Sequence, residues 1–399
     1  MLTRRGWLLA ATAVGFAIAG RLLGIVEAYV AAASCAVLVA FAVVGTSLTR
    51  LRLEVAREVH PQRVHAGTPS RVDVMIRNRG RSRSPVLRID DAVSGTRGAR
   101  LYVPPLDADT LTRAAYRLPT ERRGVIDIGP LQVTVGDAFG LAETRLAGAP
   151  LTELTVFPRI DAVLPPPHTT GDDPYGGADH PNSLAHTGED FYALRPYVVG
   201  DDLRRVHWRA TAHHDDLMVR QDELPWQGRV TVLLDVRRAT MPAPALEVAV
   251  SAAASIVDAS WRRENLVRMV ATDGTDSGFA AGNAAIDGVM EYLATVDLTE
   301  EAAFRRTADR LSRSASGGAL VVLVSGDLPE REVEVLARLR RRFGWLTVLA
   351  VERSAWDTHA PTETDPAKPP FVRITRDRPF VAAWESALRS RRGVARVTR

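Results

Sequence analysis

Residues whose types and spacing could do chemistry concentrate in two places. The first is 188–222, GEDFYALRPYVVGDDLRRVHWRATAHHDDLMVRQD, where aromatics, arginines and acids are denser than elsewhere in the chain. Arg195, Arg204 and Arg209 carry planar forks suited to bidentate pairing with carboxylates, and Glu189, Asp190, Asp201 and Asp202 are the nearest partners in sequence. Phe191, Tyr197 and Trp208 add large apolar faces, two of them with a polar atom. Such a set either docks a partner or ties its segment to a neighbouring domain through a salt-bridge and aromatic network. His207, His213, His214, Asp215 and Asp216 invite metal-assisted chemistry. Adjacent residues on one strand or helix do not converge on one ion, however, and no G-x-S-x-G nucleophile accompanies them. The second place is the pair Asp235 and Asp327, which end or follow two apolar runs; two carboxylates at one sheet rim would suit a hard cation such as Mg²⁺.

Composition removes other chemistries. The only lysine is Lys368, in a Pro-rich stretch, so no G-x-x-x-x-G-K-[ST] phosphate loop exists. The single cysteine, Cys35, lies in an apolar run and excludes an intrachain disulfide, a Cys-rich zinc site or a CxxC pair. The pI of about 9.5 arises from arginines scattered among acids, with a net charge of only +4, which argues against nucleic-acid binding.

The elements that must position these residues read as follows. Residues 7–24 and 28–48 are apolar, and a stretch of 21 residues without charge spans the ~30 Å hydrocarbon core at ~1.5 Å per residue. Two such segments with a tight turn predict a transmembrane helical hairpin over 1–50 rather than a cleaved signal. Arg4 and Arg5 precede it and Arg50, Arg52 and Arg57 follow it, so the positive-inside rule places both ends and the soluble part in the cytoplasm, at the plasma membrane. From 51 to 160 the period is two, with Gly, Pro and Asn breaks, predicting a small immunoglobulin-like β-sandwich of six or seven strands and no catalytic cluster. Residues 161–187 form a Pro/Gly/Asp-rich linker whose His168, His180 and His186 read as solvated. Beyond 188–222, apolar runs at 229–236, 266–273, 319–325 and 345–351 alternate with helical patterns over 223–352, predicting a doubly wound parallel α/β domain. Residues 353–399 add a loop, an edge strand near 371–375, a closing helix at 380–390 and a basic tail.

Two resemblances follow. With Asp235 at the end of the first strand, the α/β domain resembles a von Willebrand factor A-type fold, whose metal site uses D-x-S-x-S and a later Thr and Asp. Here the motif reads Asp235-Val236-Arg237-Arg238-Ala239: both serines are missing and Arg237 puts a positive charge where the cation would sit. Asp235 is therefore expected to pair with Arg237 or Arg238, with no cofactor held, while Ser325-Gly326-Asp327 resembles the later aspartate position. More specifically, Gly188, Phe191, Leu194-Arg195-Pro196-Tyr197, Gly200-Asp201-Asp202, Arg204 and His207-Trp208-Arg209-Ala210-Thr211-Ala212 are similar to the signature of the bacterial "domain of unknown function 58" family. His207 and His213 depart from its usual residues. That resemblance implies a membrane-anchored, non-enzymatic scaffold or adaptor. Its implied partners are a MoxR-type AAA+ ATPase and transglutaminase-like membrane proteins, in assembly, envelope or stress processes. The competing expectations are a metal-assisted hydrolase using Asp235, Asp327 and nearby histidines, and an export-related protein with its soluble part outside.

Overall fold

The computed structural model describes residues 1–48, 51–167, 191–196, 206, 208, 211, 217–222, 228–314, 317–326, 328–357 and 371–394. Two compact units result, Met1–Arg159 and Ile160–Arg399.

In the first unit, helix α1 (Arg4–Leu23) and helix α2 (Val26–Leu48) form the hairpin. Thr3 caps α1 by accepting the Gly6 amide, and Gly24, at φ +68°, takes the left-handed turn that reverses the chain. Both helices are long and apolar enough to cross a membrane and expose most of their surface. Nine strands follow: β1 (Leu53–His60), β2 (Arg63–His65), β3 (Arg71–Asn78), β4 (Leu87–Val93), β5 (Ala99–Val103), β6 (Leu111–Arg117), β7 (Gly124–Gly136), β8 (Glu143–Ala147) and β9 (Thr152–Phe157). They form one sheet ordered β1-β3-β6 and another ordered β2-β9-β7-β4-β5, with β8 also on β7. Alternating residues of both sheets, Val72, Val74 and Ile76 against Ile89, Ile128, Val133 and Leu154, make one core.

A polar clamp crosses that sandwich. Arg57 on β1 and Asp91 on β4 are both buried and pair at 2.7 Å. Tyr116 on β6 donates to the same carboxylate at 2.6 Å, and Arg57 donates to Thr152 on β9 at 2.9 Å and to the Pro150 carbonyl. Gly129 (φ +101°) lies against the guanidinium, where a Cβ would collide with it. Burial and the bond to Asp91 push the Tyr116 hydroxyl well above the usual tyrosine range. Arg57 is thus not a headgroup-facing flank of α2: its side chain is sealed between sheets, and the orientation argument rests on the other arginines.

In the second unit, β10 (Phe191–Pro196) and β11 (Met218–Asp222) pair antiparallel. Then come β12 (Arg229–Leu234), α3 (Ala243–Trp261), β13 (Leu266–Ala271), α4 (Asn283–Thr295), α5 (Phe304–Ser314), β14 (Ala319–Ser325), α6 (Glu330–Leu339), β15 (Trp345–Val351), β16 (Phe371–Ile374) and α7 (Phe380–Val394). The five strands β12–β16 are all parallel, in the order β13-β12-β14-β15-β16. Asp276 and Ala280 add isolated antiparallel bridges along the outer edge of β13. Alternate residues of the apolar strands face opposite ways, so each face needs a cover. Phe304, Ala308 and Leu311 of α5 and Val335, Leu336 and Leu339 of α6 cover Leu320, Val322, Val324 and Val348. Alanine-rich α3 packs on the same sheet and is also long and apolar enough to cross a membrane, but 67% of its apolar window is buried, which makes it a core helix. Trp384 of α7 is fully buried, meets Trp345 edge-on and donates to the Leu164 carbonyl at 2.7 Å, tying the start of this unit to its last helix.

Candidate functional site at the carboxyl edge of the parallel sheet

Chain order reverses between β12 and β14, since β12 leads outward to β13 and the chain then crosses back to β14 on its other side. In open α/β sheets, ligands bind in the crevice beyond the carboxyl ends at such a point. The residue at this place is Asp235, directly after β12, and it is completely buried.

Its carboxylate is fully engaged. Thr272, immediately after β13, donates its hydroxyl to Oδ1 at 3.1 Å and accepts the Val236 amide at 2.9 Å. The Arg237 amide reaches Oδ1 at 3.2 Å, and Thr240 approaches Oδ2 at 3.5 Å. The Arg237 guanidinium then turns back over both oxygens, with Nε at 2.9 and 3.0 Å and Nη2 at 2.7 Å. Its other edge is held by Glu332, in the first turn of α6, through Nη1 at 2.6 Å and Nη2 at 3.0 Å. The Phe304 ring lies 5.2 Å from its centre. Burial works against this cation, but its bonds to Asp235 and Glu332 outweigh that, and the Arg237 pKa is raised above its already high ordinary value. Side-chain exposures of 14%, 0% and 14% for Arg237, Asp235 and Glu332 show a closed cluster rather than an open cleft.

A hard cation does not fit this arrangement. The guanidinium occupies the oxygens a metal would need, and neither Arg237 nor Ala239 supplies a hydroxyl. Arg238 takes no part: it reaches the Leu298 carbonyl and Glu300. Ser325, at the end of β14, spends its hydroxyl on the Val351 carbonyl. Asp327 lies outside the described residues, so the carboxylate pair stands on Asp235 alone. Among the described residues no three His, Cys, Asp or Glu side chains converge. In this structure the Asp235 carboxylate is a salt-bridge acceptor for Arg237. Sequence reasoning anticipated the pairing with Arg237 but missed Thr272, Thr240, Phe304 and Glu332. The signal for Thr272 was a polar residue closing an apolar strand; for Glu332 there is no distinct signal, since an acid in a helix's first turn is what the helix dipole favours in any case.

Of the 188–222 candidates, Phe191 and Arg195 lie on β10, and the Thr211 hydroxyl accepts the Met218 amide at 3.0 Å. Val206 is buried, whereas Trp208 is 68% exposed. Glu189, Tyr197, Gly200, Asp201, Asp202, Arg204, His207 and Arg209 lie outside the described residues, as do His213, His214, Asp215, Asp216 and the linker histidines.

Residues 193–358 match the model of a family described as "Protein of unknown function DUF58". Residues 193–358 are therefore a DUF58 region. The DUF58 match runs from β10 to the loop after β15 and so includes Trp208, Asp235, Arg237 and Glu332. Residues 50–136 match the CARDB family model, making the first unit's sandwich a CARDB-type, immunoglobulin-like β domain. No curated protein matches the chain. Among solved structures, the chain is similar to the CARDB domain of the PF1109 protein in complex with di-metal ions from Pyrococcus furiosus. Identity there is 16%, with 27% of this chain and 93% of that one covered, at a TM-score of 0.22. A β-glucosidase, EmGH1, from Erythrobacter marinus matches at 17% identity over 25% of this chain and 16% of its own, with a TM-score of 0.17. The alkylpurine DNA glycosylase AlkC of Pseudomonas fluorescens, bound to abasic-site DNA, matches at 13% identity over 30% and 33%, with a TM-score of 0.20. At such scores none of these three bears on what this chain does.

Proposed function

We propose that this protein is a non-enzymatic, membrane-anchored scaffold of the bacterial plasma membrane. Its soluble units lie in the cytoplasm, and its partner is a MoxR-type AAA+ ATPase whose ATP supplies the energy, alongside transglutaminase-like membrane proteins. The observation that carries this reading is Trp208, a large aromatic left 68% exposed within the most distinctive segment of the chain. Aromatic anchors of this kind dominate protein–protein contacts. The closed rim supports the same reading, because Arg237 fills the place where a sheet of this order would take a ligand. In finer terms the α/β unit is a von Willebrand factor A-like fold in which an internal guanidinium stands in for the cation. Asp235 at the end of the first strand, with Thr272 bonded to it in the role of the later threonine, supports this.

A tagged full-length chain from detergent-solubilised membranes is expected to co-purify an AAA+ ATPase identified by mass. Trp208→Ala is expected to lose that ATPase while the unfolding midpoint stays unchanged. Failure to recover any ATPase under conditions that preserve complexes would overturn the partner. A reporter fused after Arg399 tests the side, and an external signal would overturn the cytoplasmic placement.

A further inference from the structure

The turn between β7 and β8, residues 137–142, lies just beyond the stretch that matches the CARDB model and is joined to the start of the membrane hairpin. Leu2 forms an antiparallel bridge with Ala142, the Thr3 amide donates to the Leu141 carbonyl at 2.9 Å, and the Thr3 hydroxyl donates to the Gly140 carbonyl at 2.6 Å. Gly6 touches the Leu141 carbonyl so closely that no Cβ would fit. Leu141 and Ala142 then pack against Leu9 of α1 and Ala42 of α2. Leu9 lies about 8 Å along the axis from Arg4, and Ala42 about 9 Å before the end of α2. Both fall inside the apolar windows Arg4–Leu23 and Val26–Thr46. The turn therefore reaches the depth of the first two helical turns, where Trp7 is 65% exposed on α1.

An irregular loop is tolerated at that depth only if its backbone polar groups are satisfied by protein. Here they are well provided for. The Asp137 carboxylate accepts the Phe139 amide at 2.9 Å and the Ala142 amide at 2.7 Å. The Gly140 amide reaches the Asp137 carbonyl, and the Asp137 amide reaches that of Ala142. At the tip stands Phe139, 58% exposed. Arg4 and Arg5 begin the adjacent helix, within snorkelling reach of headgroups.

We propose that this turn is a third membrane contact, with Phe139 inserted at the headgroup–acyl boundary beside the two helix ends. Aromatic rings favour that layer. Two helices alone leave a domain free to swing on its linkers; a third, aromatic foothold fixes which side of the CARDB-type domain faces the bilayer. The proposal rests on the hairpin spanning the membrane, and the test separates the two.

In full-length Cys35→Ser protein, single substitutions Val37→Cys, Phe139→Cys and Val125→Cys are each labelled with a nitroxide and reconstituted into phosphatidylcholine–phosphatidylglycerol vesicles. Val37 is exposed in mid-α2, and Val125 is exposed at the far end of β7, roughly 35 Å along the strand from the turn. Collision with oxygen, which concentrates in lipid, is compared with collision with a water-soluble nickel chelate. Label 37 is expected to be lipid-like and label 125 aqueous, with label 139 showing an oxygen-to-nickel ratio several-fold above that of label 125. If label 139 matches label 125 while label 37 is lipid-like, the third contact is overturned and the span stands. If label 37 is itself aqueous, the span fails and takes the proposal with it.

Discussion

Replacing Arg237 with alanine removes the only guanidinium that, among the described residues, pairs with Asp235, a carboxylate with no solvent exposure. Breaking a buried ion pair from one side costs about 3–5 kcal/mol, because the remaining charge stays desolvated without a partner. Thr272 and the residue-237 amide still donate to Asp235, and 14% exposure of the arginine marks a route for water into the gap it leaves. Both pull the expected cost of Arg237→Ala towards the lower bound, about 3 kcal/mol. With a urea slope of about 2–3 kcal/mol per molar, the unfolding midpoint of the α/β unit should fall by roughly 1–1.5 M. Hydrogen exchange across 229–236 and 319–325 should quicken most, since β12 and β14 flank the pair. The double variant Asp235→Asn/Arg237→Met, which removes both charges, should lose less than Arg237→Ala alone. A midpoint shift under 0.3 M for Arg237→Ala, or a double variant worse than the single, would falsify the claim that the guanidinium neutralises Asp235.

Three further outcomes are expected. Arg237→Ser with Ala239→Ser rebuilds D-x-S-x-S around Asp235; millimolar Mg²⁺ should then raise the variant's midpoint in a concentration-dependent way while leaving the native chain unaffected, as measured by calorimetry. Asp276 accepts Arg268 at 2.9 and 2.6 Å and the Gly278 amide at 3.0 Å; led by the Arg268 bond, these hold its carboxyl below the ordinary 3.8. A depressed folded pKa gives stability that is present above the ordinary value and lost as pH falls through the folded one, so Asp276→Asn should flatten the acid limb of a urea-midpoint profile below about pH 4. Gly6→Val forces a side chain into the Leu141 carbonyl and should cost about 1–3 kcal/mol, seen as faster proteolysis within 137–147, whereas Gly15→Ala, with open space around its Cβ, should be silent.

The element plan was legible because periodicity is local. Continuous apolar runs became β12–β15 almost to the residue, and period-two runs became the sandwich, with 124–136 a single strand. The strand count was underread, nine being found, because β2, β5 and β8 have only three to five residues, too few for a period of two to stand out. The phase of β4 also held a clue that went unread: Leu87, Ile89, Asp91 and Val93 share the buried face, which puts a carboxylate inside the core.

The sequence by itself determined that Asp235 ends the first strand of a parallel sheet with an arginine two residues on, and that two apolar helices precede a β domain. Only the tertiary structure decided what those residues meet. Arg237 needs Glu332, almost a hundred positions later, to hold its second edge, and Arg57 is drawn inward only because Asp91, Tyr116 and Thr152 arrive from three other strands. The 137–142 turn becomes a neighbour of the membrane helices through Leu2, Thr3 and Gly6. A side chain's charge and reach are written in its type, whereas the partner that neutralises it is chosen by chain segments far apart in sequence, which only folding brings together.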